Sequence, residues 1–371
     1  MYIGDTRSKT QKTAWLSWLH VPVFLLLMAF LLSACDQNST NPSASTTAAP
    51  TEVAVNGFGT AANHVHSLVA FPNHVLVLAT HYGIFRSADS GATWQKVAAG
   101  PNQLMQGLMA YSLVVSPLNP QRLYVLTLPA TVPHAGTLGL YTSGDQGRTW
   151  KLAVATASVT SSSIYTVATG NDTPDEVYIY LPNLGALGLR VSLDDGQHFS
   201  SAGTLPFGNI LGLLAIPNQP GHLLIYGSQG IARSTDGGAH WQVIQGINGQ
   251  IFQIEMAGPD TPIYASGDAG IYASQDSGKT FKLVNNQTSY AGLTSSITQP
   301  QVIYGKTGLS IYRSTDGGHI WKALPRISGN LGNMAVNPAN ASQVYLSLSY
   351  PTAVYELNAN STGWTSLTPK A

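Results

Sequence analysis

Six copies of one eight-residue motif, spaced 40 to 56 residues apart, run through this 371-residue chain and constrain its fold more than any other feature. The first three are Ser87-Ala-Asp89-Ser-Gly91-Ala-Thr93-Trp94, Ser143-Gly-Asp145-Gln-Gly147-Arg-Thr149-Trp150 and Ser192-Leu-Asp194-Asp-Gly196-Gln-His198-Phe199. The others are Ser234-Thr-Asp236-Gly-Gly238-Ala-His240-Trp241, Ser274-Gln-Asp276-Ser-Gly278-Lys-Thr280-Phe281 and Ser314-Thr-Asp316-Gly-Gly318-His-Ile320-Trp321. A fixed period of this length marks a repeat architecture, in which each unit needs its neighbours to bury a face.

A short apolar run, such as Gly83-Ile-Phe-Arg86 or Gly270-Ile-Tyr-Ala273, precedes most copies, and an alternating run such as Trp241-Gln-Val-Ile244 follows. This is the pattern of a β-hairpin whose loop is the motif. The Asp side chain is expected to accept hydrogen bonds from backbone N–H groups of its own turn. The Gly two positions on supplies a positive φ. The closing Trp or Phe offers apolar surface to a neighbouring sheet. Asp89, Asp145, Asp194, Asp236, Asp276 and Asp316 are therefore read as structural.

Two further strand candidates precede each motif, as in Ile210–Ile216 and His222–Tyr226 around the turn Pro217–Gly221. Four strands per repeat predict an all-β protein, a β-propeller. A seventh copy lies at the C-terminus, with Tyr355 matching Phe85 and Trp364 matching Trp94, but with Ala359 for the Asp and Ser361 for the Gly. The expectation is seven blades over residues 62–371, with six blades and a loose end as the alternative.

The motif S-x-D-x-G-x-T-W resembles the Asp-box (BNR) repeat of sialidase-like propellers. The segment Ala79-Thr-His-Tyr-Gly-Ile-Phe-Arg86 is similar to the first repeat of bacterial Asp-box lipoproteins labelled as glycosyl hydrolases. In blade pattern the chain also resembles the photosystem II assembly factors. The resemblance implies that the boxes face away from the ligand. The binding face would then be built by the turns between second and third strands and by the blade-to-blade loops. On that face it singles out Tyr82, Asp268, Lys306 and Arg326 as ligand-binding candidates.

Residues 1–34 read as a targeting segment. Arg7, Lys9 and Lys12 make a basic start, and Val21–Leu32 is apolar. Leu32-Ser-Ala-Cys35 then resembles a lipoprotein lipobox, with the chain's single cysteine at the lipidation position. The alternative is an uncleaved membrane helix over 14–34, which is long enough to span. The lipobox predicts a protein anchored through a lipid on Cys35 at the extracytoplasmic face of a cell membrane. Residues 35–61 are rich in Ser, Thr, Ala, Asn and Pro and read as a tether.

Charged residues make up 9% of the chain and the net charge is zero. No basic patch with interleaved aromatics occurs, so nucleic acid is not an expected partner. With Cys35 assigned, no disulfide framework or thiolate metal site remains. No cofactor is expected.

Glycoside hydrolysis needs two flanking carboxylates, and the best pair is Glu255, on the innermost strand of the fifth repeat, with Asp268 in the next turn. The competing reading of Glu255 is a channel carboxylate satisfied by water. Sialidases also need an arginine cluster and a Phe/Tyr-Arg-Ile-Pro signature; the signature is missing, and only Arg122 and Arg326 lie clear of the leader, the motifs and the third strands. His64, His66 and His81 form a metal candidate, since period two places the first two on one face and imidazoles suit Zn²⁺ or Cu²⁺. The expectation is ordinary channel-lining histidines, with the metal site as the alternative. The expectation is a non-catalytic binding or assembly module for a protein or glycan partner, with a sialidase-like or xyloglucanase-like hydrolase as the competing class.

Overall fold

The computed structural model describes residues 62–131, 133–161, 165–358 and 361–368. The expectations for the leader, for Cys35 and for the tether fall outside these residues. Seven four-stranded antiparallel sheets follow one another in chain order, each built from consecutive strands. They form a seven-bladed β-propeller, as the repeat period predicts.

The first blade shows the plan: Val65–Ala70 innermost, then Leu76–Thr80, Gly83–Ser87 and Gln95–Val97 at the rim. The second strand is buried along its whole length because both of its faces pack on neighbouring blades. The equivalent strands Val177–Tyr180 and Ile263–Gly267 are also buried throughout. Such strands read as continuous apolar runs rather than alternating ones.

The seventh blade is complete. Leu331–Asn337, Asn340–Leu348, Ala353–Asn358 and Thr365–Ser366 form one sheet. It closes on the first blade through a shared core of Val65, Leu68, Trp94, Ala335, Tyr345 and Val354. Trp94 Nε1 donates to the Leu367 carbonyl at 2.9 Å, across 273 residues of chain. The six-blade alternative is thereby excluded: side-chain packing closes the ring without the missing motif Asp.

In each motif turn the Ser hydroxyl donates to the Asp and also accepts from the Gly N–H. In the fourth copy Ser234 Oγ lies 2.8 Å from Asp236 Oδ1 and 2.9 Å from the Gly238 nitrogen. The Asp takes the exposed N–H of His240 at 2.9 Å and its ring Nδ1 at 2.6 Å. The Asp thus accepts from a backbone N–H of its own turn, as expected, while the buried N–H of the turn belongs to the Ser. Hydrogen bonds from the His240 backbone, then from its ring, pull Asp236 down to about 2.

The residue before each Gly also has a positive φ, as at Gln146 (55°), Asp195 (64°) and Ser277 (57°). At these three positions the side chain reaches the preceding blade, whereas Ser90 Oγ meets His74 of its own blade and the fourth and sixth copies carry glycine there. Gln146 accepts from Asn73 at 2.9 Å, and Ser277 accepts from Gln219 at 2.6 Å. Asp195 binds Arg122 at 2.8 Å, Lys151 at 2.9 Å and Thr142 Oγ1 at 2.9 Å. The third-strand arginines work in the other direction: Arg86 Nε donates to the Gln146 carbonyl at 2.9 Å and Arg233 Nε to the Ser277 carbonyl at 3.1 Å.

Candidate functional site

The motif turns share one end of the propeller with the turns between first and second strands. Ser90 N donates to the His74 carbonyl at 2.8 Å, and Gly237 N to the Gly221 carbonyl at 2.9 Å. The other end is the open face. There the second-to-third-strand turns meet the loops entering each blade, as in His81 N to His64 O and Asp268 N to Gln250 O, both 2.9 Å. The motif turns and the second-to-third-strand turns thus lie at opposite ends of the blades.

All four ligand-binding candidates lie at the open end, on different blades. Tyr82 is half-buried, its N–H held by Asn63 Oδ1 and Thr80 Oγ1, both at 3.2 Å. Asp268 is exposed, and its Oδ2 accepts from the Gln250 N–H at 2.8 Å. Gly249, at φ +77°, leaves the room: a Cβ there would stand 2.8 Å from the Asp268 side chain. Lys306 bridges to the seventh blade by donating to the Gly332 carbonyl, and burial pulls its ammonium below the usual lysine range. Arg326 stands exposed on the loop into the seventh blade.

Glu255 and Asp268 are not brought together. Glu255 pairs with Tyr264 and Ile251 with Gly267, so the two carboxylates sit at opposite ends of one strand pair. Four residues of strand separate them, roughly 13 Å at 3.3 Å per residue, beyond the span that either glycosidase geometry uses. Glu255 Oε1 instead accepts from Ser295 of the next blade, from its N–H at 3.0 Å and its hydroxyl at 3.2 Å. Burial pushes the Glu255 carboxyl up to about 7, against the pull of those two bonds. Arg122 lies at the motif end, bound to Asp175 and Asp195 at 2.8 Å each, and is unavailable to a substrate on the open face.

The three histidines do converge. His64 enters the first inner strand, and His66 is the extra residue of a bulge, since Val65 pairs with Thr80 and Ser67 with Ala79. Bulges re-aim side chains at functional sites, and Tyr111 occupies the same bulge in the second blade. The His64 ring centroid is 4.5 Å from that of His66 and 4.8 Å from that of His81. The rings of Tyr350, Tyr111 and Tyr82 stand around the cluster at 5.1, 5.4 and 5.0 Å from His64, His66 and His81 respectively. Burial, followed by the neighbouring rings, pulls His64 down to about 4 and His66 to about 3. All three rings are neutral at pH 7. The bulge that positions His66 was not legible in the alternation of the strand, because it arises from pairing with the second strand.

Inner strands of the second to fourth blades enclose a cavity whose lining includes Ser112, Thr166, Gly212 and Tyr226, with no carboxylate or histidine.

Fold and site together define a propeller with a weakly charged open face and a histidine cluster at the mouth of its first blade. No protein-family profile matches the chain. Among curated proteins it is similar to a xyloglucanase of Paenibacillus sp, 29% identical over 235 residues, which is 55% of this chain and 21% of that protein. The xyloglucanase Xgh74A of Acetivibrio thermocellus is 28% identical over 226 residues, 57% of this chain and 24% of that enzyme. The chain thus spans about a fifth to a quarter of the curated relatives it matches. Among solved structures, the GH74 enzyme of Niastella koreensis superposes with a TM-score of 0.64 at 17% identity, over 84% of this chain and 55% of that one. YCF48 bound to D1 peptide superposes with a TM-score of 0.57 at 13% identity, over 80% of this chain and 94% of that one. At these identities the structural likenesses establish the fold.

Proposed function

We propose that this propeller is a non-catalytic binding module, an Asp-box protein held outside the cytoplasm by a lipid on Cys35, whose open face takes a protein or glycan partner. One observation carries the non-catalytic part. Among the described residues, Asp268 is the single carboxylate at the open end. The others belong to motif turns, to the turns beside them, or to strands, as the half-buried Glu255 and Glu356 do. Two-carboxylate hydrolysis has no second group there. The open face instead offers backbone amides, Tyr82, Arg326 and the exposed Leu184, Leu187 and Leu309, a surface suited to a neutral polymer or an extended peptide. The superposition on YCF48, a propeller solved with a peptide, supports the binding reading. Extracytoplasmic placement rests on the leader and on the xyloglucanase similarity.

That same similarity favours a second reading, a glycoside hydrolase related to xyloglucanases. Screening the full chain in detergent micelles against peptide and glycan arrays, alongside reducing-sugar release from xyloglucan, separates the two. Binding without release is expected, and Arg326→Ala or Asp268→Asn should weaken it. Release of sugar that disappears in Asp268→Asn would move the protein to the hydrolase class. Palmitate labelling that persists in Cys35→Ala would remove the lipid anchor.

A further inference from the structure

His64, His66 and His81 present one ligand nitrogen each, and these three atoms lie within 4.8 Å of one another. His66 Nε2 and His81 Nδ1 are buried and have no hydrogen-bond partner. Unpaired buried nitrogens cost about 1–3 kcal/mol each, so a fold that gathers two of them beside a third imidazole calls for an explanation. An imidazole can offer a ring-nitrogen lone pair to a cation.

We propose that His64, His66 and His81 form a binding site for a first-row transition ion of the zinc and copper class at the mouth of the first blade. The donor set decides the class. Three imidazoles with no carboxylate or thiolate among them suit zinc, copper or nickel, and are poor ligands for the oxygen-seeking calcium and magnesium. Metal–nitrogen bonds of about 2.0–2.1 Å put tetrahedral nitrogens about 3.4 Å apart. The nitrogens must therefore close by up to about 1.4 Å from their present spacing, a change that rotation about the side-chain torsions supplies. Three protein ligands leave a fourth position toward the open face, where an exogenous group or a water completes the shell. The site does not depend on which polymer the open face binds.

The test uses the full chain in detergent, purified without a histidine tag and stripped with chelator. Zn²⁺ and Cu²⁺ are titrated separately by competition with a chromophoric chelator, with Ca²⁺ and Mg²⁺ as comparison ions. One equivalent of Zn²⁺ or Cu²⁺ should bind, with nitrogen hyperfine structure in the Cu²⁺ spectrum. His81→Gln and His64→Gln should each weaken binding roughly tenfold or more, in keeping with the sensitivity of metal sites to their ligands. The solvent-facing His198→Gln and His240→Gln should leave it unchanged. His81 and His64 are chosen because His66 is the most enclosed, and circular dichroism checks that each variant is folded. Binding no stronger than that of the variant carrying His64→Ala, His66→Ala and His81→Ala together would overturn the proposal, as would equal affinity for Ca²⁺.

Discussion

Removing Ser234 should destabilise the protein more than removing Asp236, although the Asp is the more prominent letter of the motif. The Ser234 side chain is buried at 1% exposure, and its oxygen holds the Gly238 N–H at 2.9 Å. That N–H is closed off from water: a Cβ on Gly238 would stand 2.6 Å from the Ala202 carbonyl and 3.4 Å from Trp241. Ser234→Ala leaves the N–H unpaired, at about 1–3 kcal/mol, and also deprives Asp236 of a donor. A total of about 2–3 kcal/mol follows. Asp236→Ala frees the His240 N–H and ring, which lie in solvent, and the Ser234 hydroxyl, which still holds the Gly238 N–H. The Asp236 side chain is itself 41% exposed, so rehydration keeps the loss to about 1 kcal/mol. At this size each kcal/mol moves Tm by about 2 °C, giving drops of roughly 4–6 °C and 2 °C. Urea unfolding followed by tryptophan fluorescence supplies the free energies. Because the two side chains share a bond, the double variant should lose less than the sum. An Asp236→Ala loss equal to or larger than that of Ser234→Ala would refute the assignment of the buried N–H.

Asp195→Ala should cost about 1–2 kcal/mol, since Arg122 loses one of its two carboxylates but keeps Asp175, while the Lys151 side chain is 66% exposed and rehydrates; an unchanged urea-unfolding midpoint would show the cluster to be dispensable. Leu346→Ala, at 0% exposure in the seventh blade, should lose about 2–5 kcal/mol from the global transition; fraying of the C-terminal residues alone would mean the ring does not depend on that blade. Glu255 is protonated in the folded chain up to about pH 7 but ionises near pH 4.5 when unfolded. The folded state therefore holds the extra proton between those values, and stability falls as pH rises through that window. Glu255→Gln should flatten the decline, by on the order of 1 kcal/mol between pH 4.5 and 7.5; an unchanged pH profile would place the titration elsewhere.

The blade count was legible because its determinants are local. A Ser, an Asp and a Gly at positions i, i+2 and i+4 close a hairpin with no help from distant chain, and each repetition announces another blade. The same locality kept the partners of the motif out of sight. Positive φ at Gln146, Asp195 and Ser277 follows from the turn, yet what their side chains bind lies on the preceding blade. Arg122 reads in sequence as one of two free arginines, whereas the fold spends it on Asp175 and Asp195.

From the sequence alone came the repeat, the strand pattern, the expectation of a leader ending at Cys35, and the low charge, all properties of composition or of local windows. Only the tertiary structure decided how the pieces meet. It set Glu255 against Ser295 rather than beside Asp268, closed the seventh blade on the first without its Asp, and turned His66 toward His64 and His81. Each of these depends on strand register or on packing between blades. Register follows from how many residues face one another across a pair, and a single bulge shifts it. Packing between blades joins residues tens to hundreds of positions apart, as Trp94 and Leu367 are joined across 273, and no local pattern encodes such a distance.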